Sequence, residues 1–203
     1  PDTIASDYIS TIYEDADGTL WLGTGGFGTP GAGLDHFDPV MERFTHYRHD
    51  PDDPSSLSGD SIAAVKPDGA GRLWVGTGGF SIPGAGLNLL DPATGKAVRF
   101  HHDEADPTSL GSDSVMTVYT DSQGQTWVGT WGGGLFRLED GRFVVQTNLL
   151  PTTDPVVALK ETPRGTLWIG TGAGLRRMRD GKVEQFAALG GAAAGDVRAI
   201  EPG

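Results

Sequence analysis

The chain has 203 residues, with 32 glycines, 13 prolines and a hydrophobic share of 37%. This combination predicts many tight turns around a core rather than disorder. The formal net charge is −12 without a basic cluster, which argues against nucleic acid and anionic membrane surfaces as partners. Cysteine is absent, so disulfides and thiolate chemistry are excluded. No apolar run reaches the roughly 20 residues that cross a bilayer, and we expect no direct membrane insertion by this segment.

The N-terminal part of the chain reads as four short strands. The first covers 9–13 and ends at a turn whose Asp and Gly residues suit a tight hairpin. The second covers the glycine, leucine, tryptophan and threonine run 18–24, and the third covers 34–37. Asp38-Pro39 ends the third strand, because proline cannot continue strand pairing. A fourth strand at 43–47 completes a set that makes one propeller blade.

The second strand returns three times along the chain. Its tryptophans stand 53, 53 and 41 residues apart, at Trp21, Trp74, Trp127 and Trp168. A period of this length, filled with short strands, is typical of a repeat array such as a propeller. In each copy a tryptophan and a glycine share one face, which suits closely stacked sheets because the glycine lets the next backbone approach. We predict an all-β fold: a single β-propeller segment over 1–203 with four four-stranded antiparallel blades, at approximately 7–49, 60–102, 113–148 and 154–187.

A fifth blade begins near residue 196, where Val197 and Ile200 repeat the start of a first strand. Four blades plus one strand do not close a four-bladed ring. We therefore predict that the segment belongs to a larger propeller of six to eight blades, with any targeting information outside it. The Ala-rich run at 187–194 is read as a loop, and no helix longer than two turns is expected elsewhere.

Two expectations follow from blade stacking. The apolar residues of the first strands should be buried, namely Ile9, Ile12, Ile62, Val65, Val115, Val118, Val156 and Leu159. The segment alone should also be poorly stable, because terminal repeats without caps expose apolar surface.

The repeated pattern resembles the two-component regulator propeller repeat. The likeness lies in Asp-x-x-Gly-x-Leu-Trp-Ile/Val-Gly-Thr, in the Gly-Leu and Asp-Pro that follow, and in the linkers 53–57 and 106–110. It covers essentially the whole chain. The sialidase Asp-box is not met, because the Asp stands six residues before the Trp instead of five, and the fourth blade has Thr162 there.

The resemblance implies a periplasmic or extracytoplasmic sensor module of a signal-transduction receptor. Such modules usually precede a membrane span and a histidine kinase or diguanylate cyclase, and members from gut bacteria sense carbohydrate fragments. The expected partners are a small-molecule or glycan ligand and further propeller blades of the same parent chain. Two alternatives stay open: a propeller enzyme, either a lyase or a glycan-active one, and a protein-interaction scaffold.

Residues that recur in every blade are interpreted as architectural, including Asp7, Asp60, Asp113 and Asp154. Residues that differ in one blade are free to recognise a ligand. Blades one and two carry insertions at 25–32 and 78–85 and long links to the next blade. In a meandering blade both connections lie on one rim, and loops on a rigid scaffold are where binding usually occurs.

The candidate ligand-binding residues lie on these connections and are Trp131, Phe27, Phe80, His49 and His102. Trp131 is the sharpest candidate, because the other three blades have glycine at its position. An aromatic ring there can stack on carbohydrate or anchor a partner. Packing of Trp131 and the two phenylalanines against their own or neighbouring blades is an equal alternative.

No catalytic residues, metal site or cofactor are expected. His49 and His102 stand beside several carboxylates, but adjacent residues on proline-broken loops point in divergent directions. Zinc or calcium requires several convergent ligands. The Gly-Gly stretches follow strands without opening a helix, so they indicate hairpins rather than phosphate-binding loops.

Overall fold

The computed structural model describes residues 3–26, 28–162, 165–186 and Val197. Within these residues the chain forms sixteen strands and no helix. The strands are β1 (Ile9–Glu14), β2 (Leu20–Thr24), β3 (Leu34–Asp38), β4 (Arg43–Tyr47), β5 (Ile62–Pro67), β6 (Leu73–Thr77), β7 (Leu87–Asp91), β8 (Lys96–Phe100), β9 (Val115–Thr120), β10 (Thr126–Thr130), β11 (Gly134–Glu139), β12 (Arg142–Val145), β13 (Val156–Thr162), β14 (Thr166–Thr171), β15 (Gly174–Arg179) and β16 (Lys182–Phe186).

Each set of four consecutive strands forms one antiparallel meander: β1–β4, β5–β8, β9–β12 and β13–β16. We call these sheets blades one to four. In blade one the motif Trp21 is paired with Tyr13 on one side and His36 on the other. The four predicted four-stranded blades are thereby confirmed. The Ala-rich run at 187–194 and most of the predicted fifth strand lie outside the described residues.

The described chain divides into two compact units. The first contains blades one and two together with residues 113–115, and the second contains residues 102–112 and the chain from Met116 onward. In the first unit the core cluster joins Trp21 and Leu34 of blade one to Ile62 and Val65 of blade two. In the second unit Trp127 is part of a core with Leu159 and Ile169 of blade four.

The motif glycine explains how consecutive blades approach each other. A Cβ atom placed on Gly23 would lie 2.8 Å from Cγ2 of Ile62, and one on Gly129 would lie 2.6 Å from Cγ1 of Val156. Any side chain at these positions would therefore push away the first strand of the next blade. Gly170 has the same relation to Val197, whose carbonyl oxygen would be 2.6 Å from the added Cβ. Val197 thus occupies the place expected for the start of a fifth blade.

The burial prediction is right for six of the eight first-strand residues and wrong for two. Ile62, Val65, Val115, Val118, Val156 and Leu159 are buried, whereas Ile9 is 38% exposed and Ile12 is 63% exposed. Ile62 and Val156 are covered by the motif glycine strand of the preceding blade. Within the described residues no sheet precedes blade one, so Ile9 and Ile12 remain at the surface.

This difference predicts unequal effects of threonine substitutions at two equivalent positions. Ile12→Thr should change the free energy of unfolding by no more than about 0.5 kcal/mol, as surface substitutions do. Val65→Thr keeps the side-chain shape but buries a hydroxyl, and should cost about 1–2 kcal/mol. Chemical denaturation of the two variants measures both values. Equal losses at the two positions would show that Ile12 is covered in solution.

Candidate ligand-binding rim

The motif threonine holds the connection between the second and third strands of every blade. Its hydroxyl donates to a glycine carbonyl at the start of the third strand, over 2.7 Å from Thr24 to Gly33 and 3.1 Å from Thr130 to Gly134. Thr77 and Thr171 make the same bond to Gly86 and Gly174. These threonines are at most 1% exposed. The edge of the blades that carries these connections is therefore rigidly built, and we call it the loop rim.

The link to the next blade lies on the same rim. The amide of Gly33 donates to the Asp60 carbonyl at 2.9 Å, and Gly86 does the same to Asp113. Each of these bonds joins the connection between the second and third strands of one blade to the residues just before the first strand of the next blade. The prediction that both kinds of connection share one rim is confirmed.

In the first unit the two glycine-rich insertions touch each other. The Gly28 amide donates to the Phe80 carbonyl at 3.1 Å, and a Cβ on Gly79 would lie 3.2 Å from the Gly26 Cα. The Phe80 side chain is half-buried. Phe27 lies outside the described residues, so its predicted role is untested.

The two candidate histidines have the same local geometry. His49 Nδ1 lies 2.8 Å from the carbonyl oxygen of Leu57, and His102 Nδ1 lies 2.5 Å from that of Leu110. Both leucines are almost completely buried. Each histidine thus closes the link of its own repeat by one ring nitrogen. A ligand contact by either histidine would have to use Nε2. The ligand-binding roles of His49 and His102 remain predictions.

In the second unit the rim contains a groove of about 320 Å³. Its floor is formed by Leu110 and Phe136, which are 0% and 3% exposed. The remaining lining converges from three places. One link contributes His102, Asp103, Glu104, Asp106, Pro107, Ser109 and Gly111; the short β10–β11 loop contributes Gly132 and Gly133; and the end of β12 with the link that follows it contributes Val145 and Thr152. We call this the rim groove.

Glycines at the base of the groove allow the link and the loop to meet. A Cβ on Gly111 would lie 2.7 Å from Cζ of Phe136, and one on Gly133 would lie 2.7 Å from the Gly111 carbonyl carbon. The Ser112 hydroxyl also donates to the Trp131 carbonyl at 2.9 Å. Trp131 itself is 42% exposed. The two glycines after Trp131 line the groove, so Trp131 stands next to its wall.

The rim groove is negatively charged. The Thr108 hydroxyl donates to Asp106 Oδ1 at 2.7 Å, and this bond, together with the Thr108 amide, lowers the pKa of the Asp106 carboxyl. Asp103 and Glu104 add two further exposed carboxylates. An anionic ligand would be repelled, and the groove is therefore suited to neutral or cationic molecules.

The five candidate residues do not form one described site. His49 and Phe80 belong to the first unit, and His102 and Trp131 belong to the second. Among the described residues no group of three or more His, Asp or Glu side chains is placed to hold a metal ion. Nor does the described part of the chain contain a helix long and apolar enough to cross a membrane.

Sequence reasoning missed one feature of the second unit. A cavity of about 460 Å³ lies between blades three and four, away from the candidate residues. The available signals were the short repeat spacing after Trp127 and the polar residue Gln146 in a position that is aromatic in the other blades.

Comparison with known proteins identifies the repeat. Residues 3–26, 56–79, 109–132 and 150–173 match the model of the two component regulator propeller. Each matched segment covers the first two strands of one blade and ends just beyond the motif threonine. The resemblance seen in the sequence is confirmed. Comparison with curated protein sequences gave no significant match.

Solved structures show the same fold. The extracellular domain of a protein assigned as a hybrid two-component system of B. thetaiotaomicron superposes with a TM-score of 0.74 and 25% identity, over 93% of this chain and 26% of that one. The extracellular domain of a second B. thetaiotaomicron protein, assigned as a one-component system, gives 0.68 and 19% identity over 91% and 25%. The chain thus spans about a quarter of the length of these domains.

Virginiamycin B lyase from Staphylococcus aureus is also similar, with a TM-score of 0.59 and 15% identity over 92% of this chain and 58% of that one. At this identity the likeness concerns the fold alone.

Proposed function

Because the chain carries four two-component regulator propeller repeats, we propose that it is the ligand-sensing module of an extracytoplasmic receptor. The parent chain would place it in the periplasm and couple it to a histidine kinase or a diguanylate cyclase. One observation supports this most: 93% of the chain superposes on the extracellular domain of a protein assigned as a two-component system. Further blades of the same parent chain are its expected structural partners.

The rim groove and the adjacent Trp131 are the proposed ligand contact. The groove combines an apolar floor of Leu110 and Phe136 with three carboxylates and a histidine on its walls. Carboxylates accept hydrogen bonds from hydroxyl groups, and an exposed indole ring offers an apolar face to a sugar ring. We therefore propose a neutral carbohydrate fragment as the ligand.

We propose no catalytic role for this segment. The one histidine in the rim groove, His102, engages the Leu110 carbonyl through Nδ1. The likeness to a lyase, at 15% identity, identifies no candidate catalytic residue in this chain.

The parent coding sequence on both sides of residues 1–203 tests the receptor assignment directly. We expect additional propeller repeats, a membrane span and then a kinase or cyclase domain. A reading frame that lacks both a span and an output domain would overturn the assignment. It would leave the fold untouched and favour the scaffold interpretation.

A further inference from the structure

The cavity between blades three and four exists because one aromatic side chain is missing. In three blades the residue paired with the first apolar position of the third strand is aromatic: Leu34 pairs with Tyr47, Leu87 with Phe100 and Leu175 with Phe186. The equivalent residue in blade three is Gln146, whose backbone N–H donates to the Leu135 carbonyl at 2.8 Å.

Those aromatic rings pack against the motif tryptophan of their own blade. The ring centroids of Trp21 and Tyr47 are 5.4 Å apart, and those of Trp168 and Phe186 are also 5.4 Å apart. Trp74 and Phe100 are separated by 5.9 Å. Gln146 provides no such ring beside Trp127, and both residues line the cavity. The space that an aromatic ring fills elsewhere is therefore available in blade three.

The cavity has an apolar inner wall and a polar mouth. Trp127, Leu149, Leu167 and Met178 form the wall. Its volume of about 460 Å³ falls within the range of roughly 300–1,000 Å³ found for small-molecule sites.

Three of its four charged lining groups, those of Asp121, Glu161 and Arg137, are already hydrogen-bonded within the protein, whereas the Asp180 carboxylate is exposed. The Trp127 indole donates to Asp121 Oδ2 at 2.9 Å, and the Ser122 amide and hydroxyl donate to the Glu161 carboxylate at 2.6 and 2.8 Å. Arg137 donates to Glu139 at 2.7 Å and to Gln125 at 3.0 Å. These bonds fix the three engaged side chains in place, so the lining groups left to contact a ligand are the side-chain amides and the Asp180 carboxylate.

Gln146 and Asn148 are two lining amides with unused hydrogen-bonding capacity, and Gln123, which uses only Oε1 to accept from Gln125, is a third. Gln146 is 9% exposed and uses Nε2 to donate to the Val144 carbonyl at 2.9 Å, while its Oε1 makes no hydrogen bond within the described residues. The exposed Asn148 amide makes none there either. A side-chain amide both donates and accepts, as a hydroxyl group does. With three carboxylates and one guanidinium in its lining, the cavity disfavours an anion.

From these observations we propose that the cavity between blades three and four is a second binding site, separate from the rim groove, for a neutral polyhydroxy molecule of mono- or disaccharide size. Gln146 and Asn148 would bind its hydroxyl groups, and the Trp127 wall would contact its apolar edges. The site does not depend on the proposed receptor function, because it is built from contacts within the second unit.

Saturation-transfer NMR on the 203-residue chain tests the proposal. The probes are glucose, galactose, mannose and their neutral disaccharides, with glucuronate and galacturonate as the anionic counterparts of the first two. We expect transfer to at least one neutral sugar, with a dissociation constant of about 1–10 mM or lower, and transfer at least about tenfold weaker to its uronate. Absence of transfer to every neutral probe, or equal transfer to the uronates, would overturn the proposal.

Gln146→Phe is the decisive variant, since it restores the side chain type of the other blades. It should fill the cavity, abolish the transfer and leave the melting temperature equal or higher. Asn148→Ala, at an exposed position, should weaken binding without affecting folding. It provides the test if Gln146→Phe does not fold. Both cavity variants are compared in a Trp131→Ala background, which removes the proposed contact at the rim groove, so that the remaining transfer reports the cavity. Transfer that survives both cavity variants in this background, or that is already absent in it, would place the sugar elsewhere and refute the site.

Discussion

Trp127→Ala is expected to lower the free energy of unfolding by about 3–5 kcal/mol, the range found for removal of a large buried aromatic side chain. Trp127 is 3% exposed and belongs to the core cluster between blades three and four. Its indole N–H is also bonded to Asp121 Oδ2 at 2.9 Å. Loss of the ring leaves both a void and an unsatisfied carboxylate oxygen. Denaturant-induced unfolding followed by circular dichroism measures the change.

Trp127→Phe is the matched control. It keeps an aromatic ring in the core but removes the hydrogen bond to Asp121, so its cost should be clearly smaller than that of the alanine variant. If Trp127→Ala costs less than about 1 kcal/mol, the ring is not part of a closely packed core and the blade stacking in the second unit is wrong.

Trp131→Ala is expected to weaken ligand binding at the loop rim by at least about tenfold while costing only about 1–2 kcal/mol of stability. Trp131 is 42% exposed, and its position is glycine in the three other blades. The fold therefore does not require an aromatic ring there. The measurement is the dissociation constant for a neutral sugar that binds the 203-residue chain, together with denaturant-induced unfolding.

The two tryptophans stand four residues apart in the same blade, and together they separate recognition from architecture. Trp131→Phe should retain part of the affinity, because it keeps an aromatic face on the loop. If Trp131→Ala destabilises the chain as much as Trp127→Ala, then Trp131 is a packing residue. Unchanged affinity with unchanged stability would instead remove Trp131 from the ligand site.

Much of the fold could be predicted because its determinants are local and repeated. Asp and Gly residues select the hairpin after the first strand, and Asp38-Pro39 ends the third. Predicting the role of the motif glycine required one further argument: only a residue without a Cβ atom lets the next blade pack this closely. Gly23 against Ile62 and Gly129 against Val156 confirm it.

The candidate site could be predicted less completely from local, repeated sequence features. The rule that departures from the repeat mark recognition selected Trp131, and the same rule applied to the fourth strand would have selected Gln146. What could not be read from residue types is that His49 and His102 each engage the carbonyl of a buried leucine eight residues later. A histidine on a solvated loop and a histidine that closes a loop have the same sequence signature.

The sequence by itself determined the all-β class, the four blades, their strand order and the repeat family, because turn chemistry and a fixed period act over short stretches of chain. The tertiary structure alone decided that Ile12 is exposed where Val65 is buried, and that a cavity opens beside Trp127. Both outcomes depend on which surface lies against a residue. That is a property of neighbouring sheets, and no single repeat contains it.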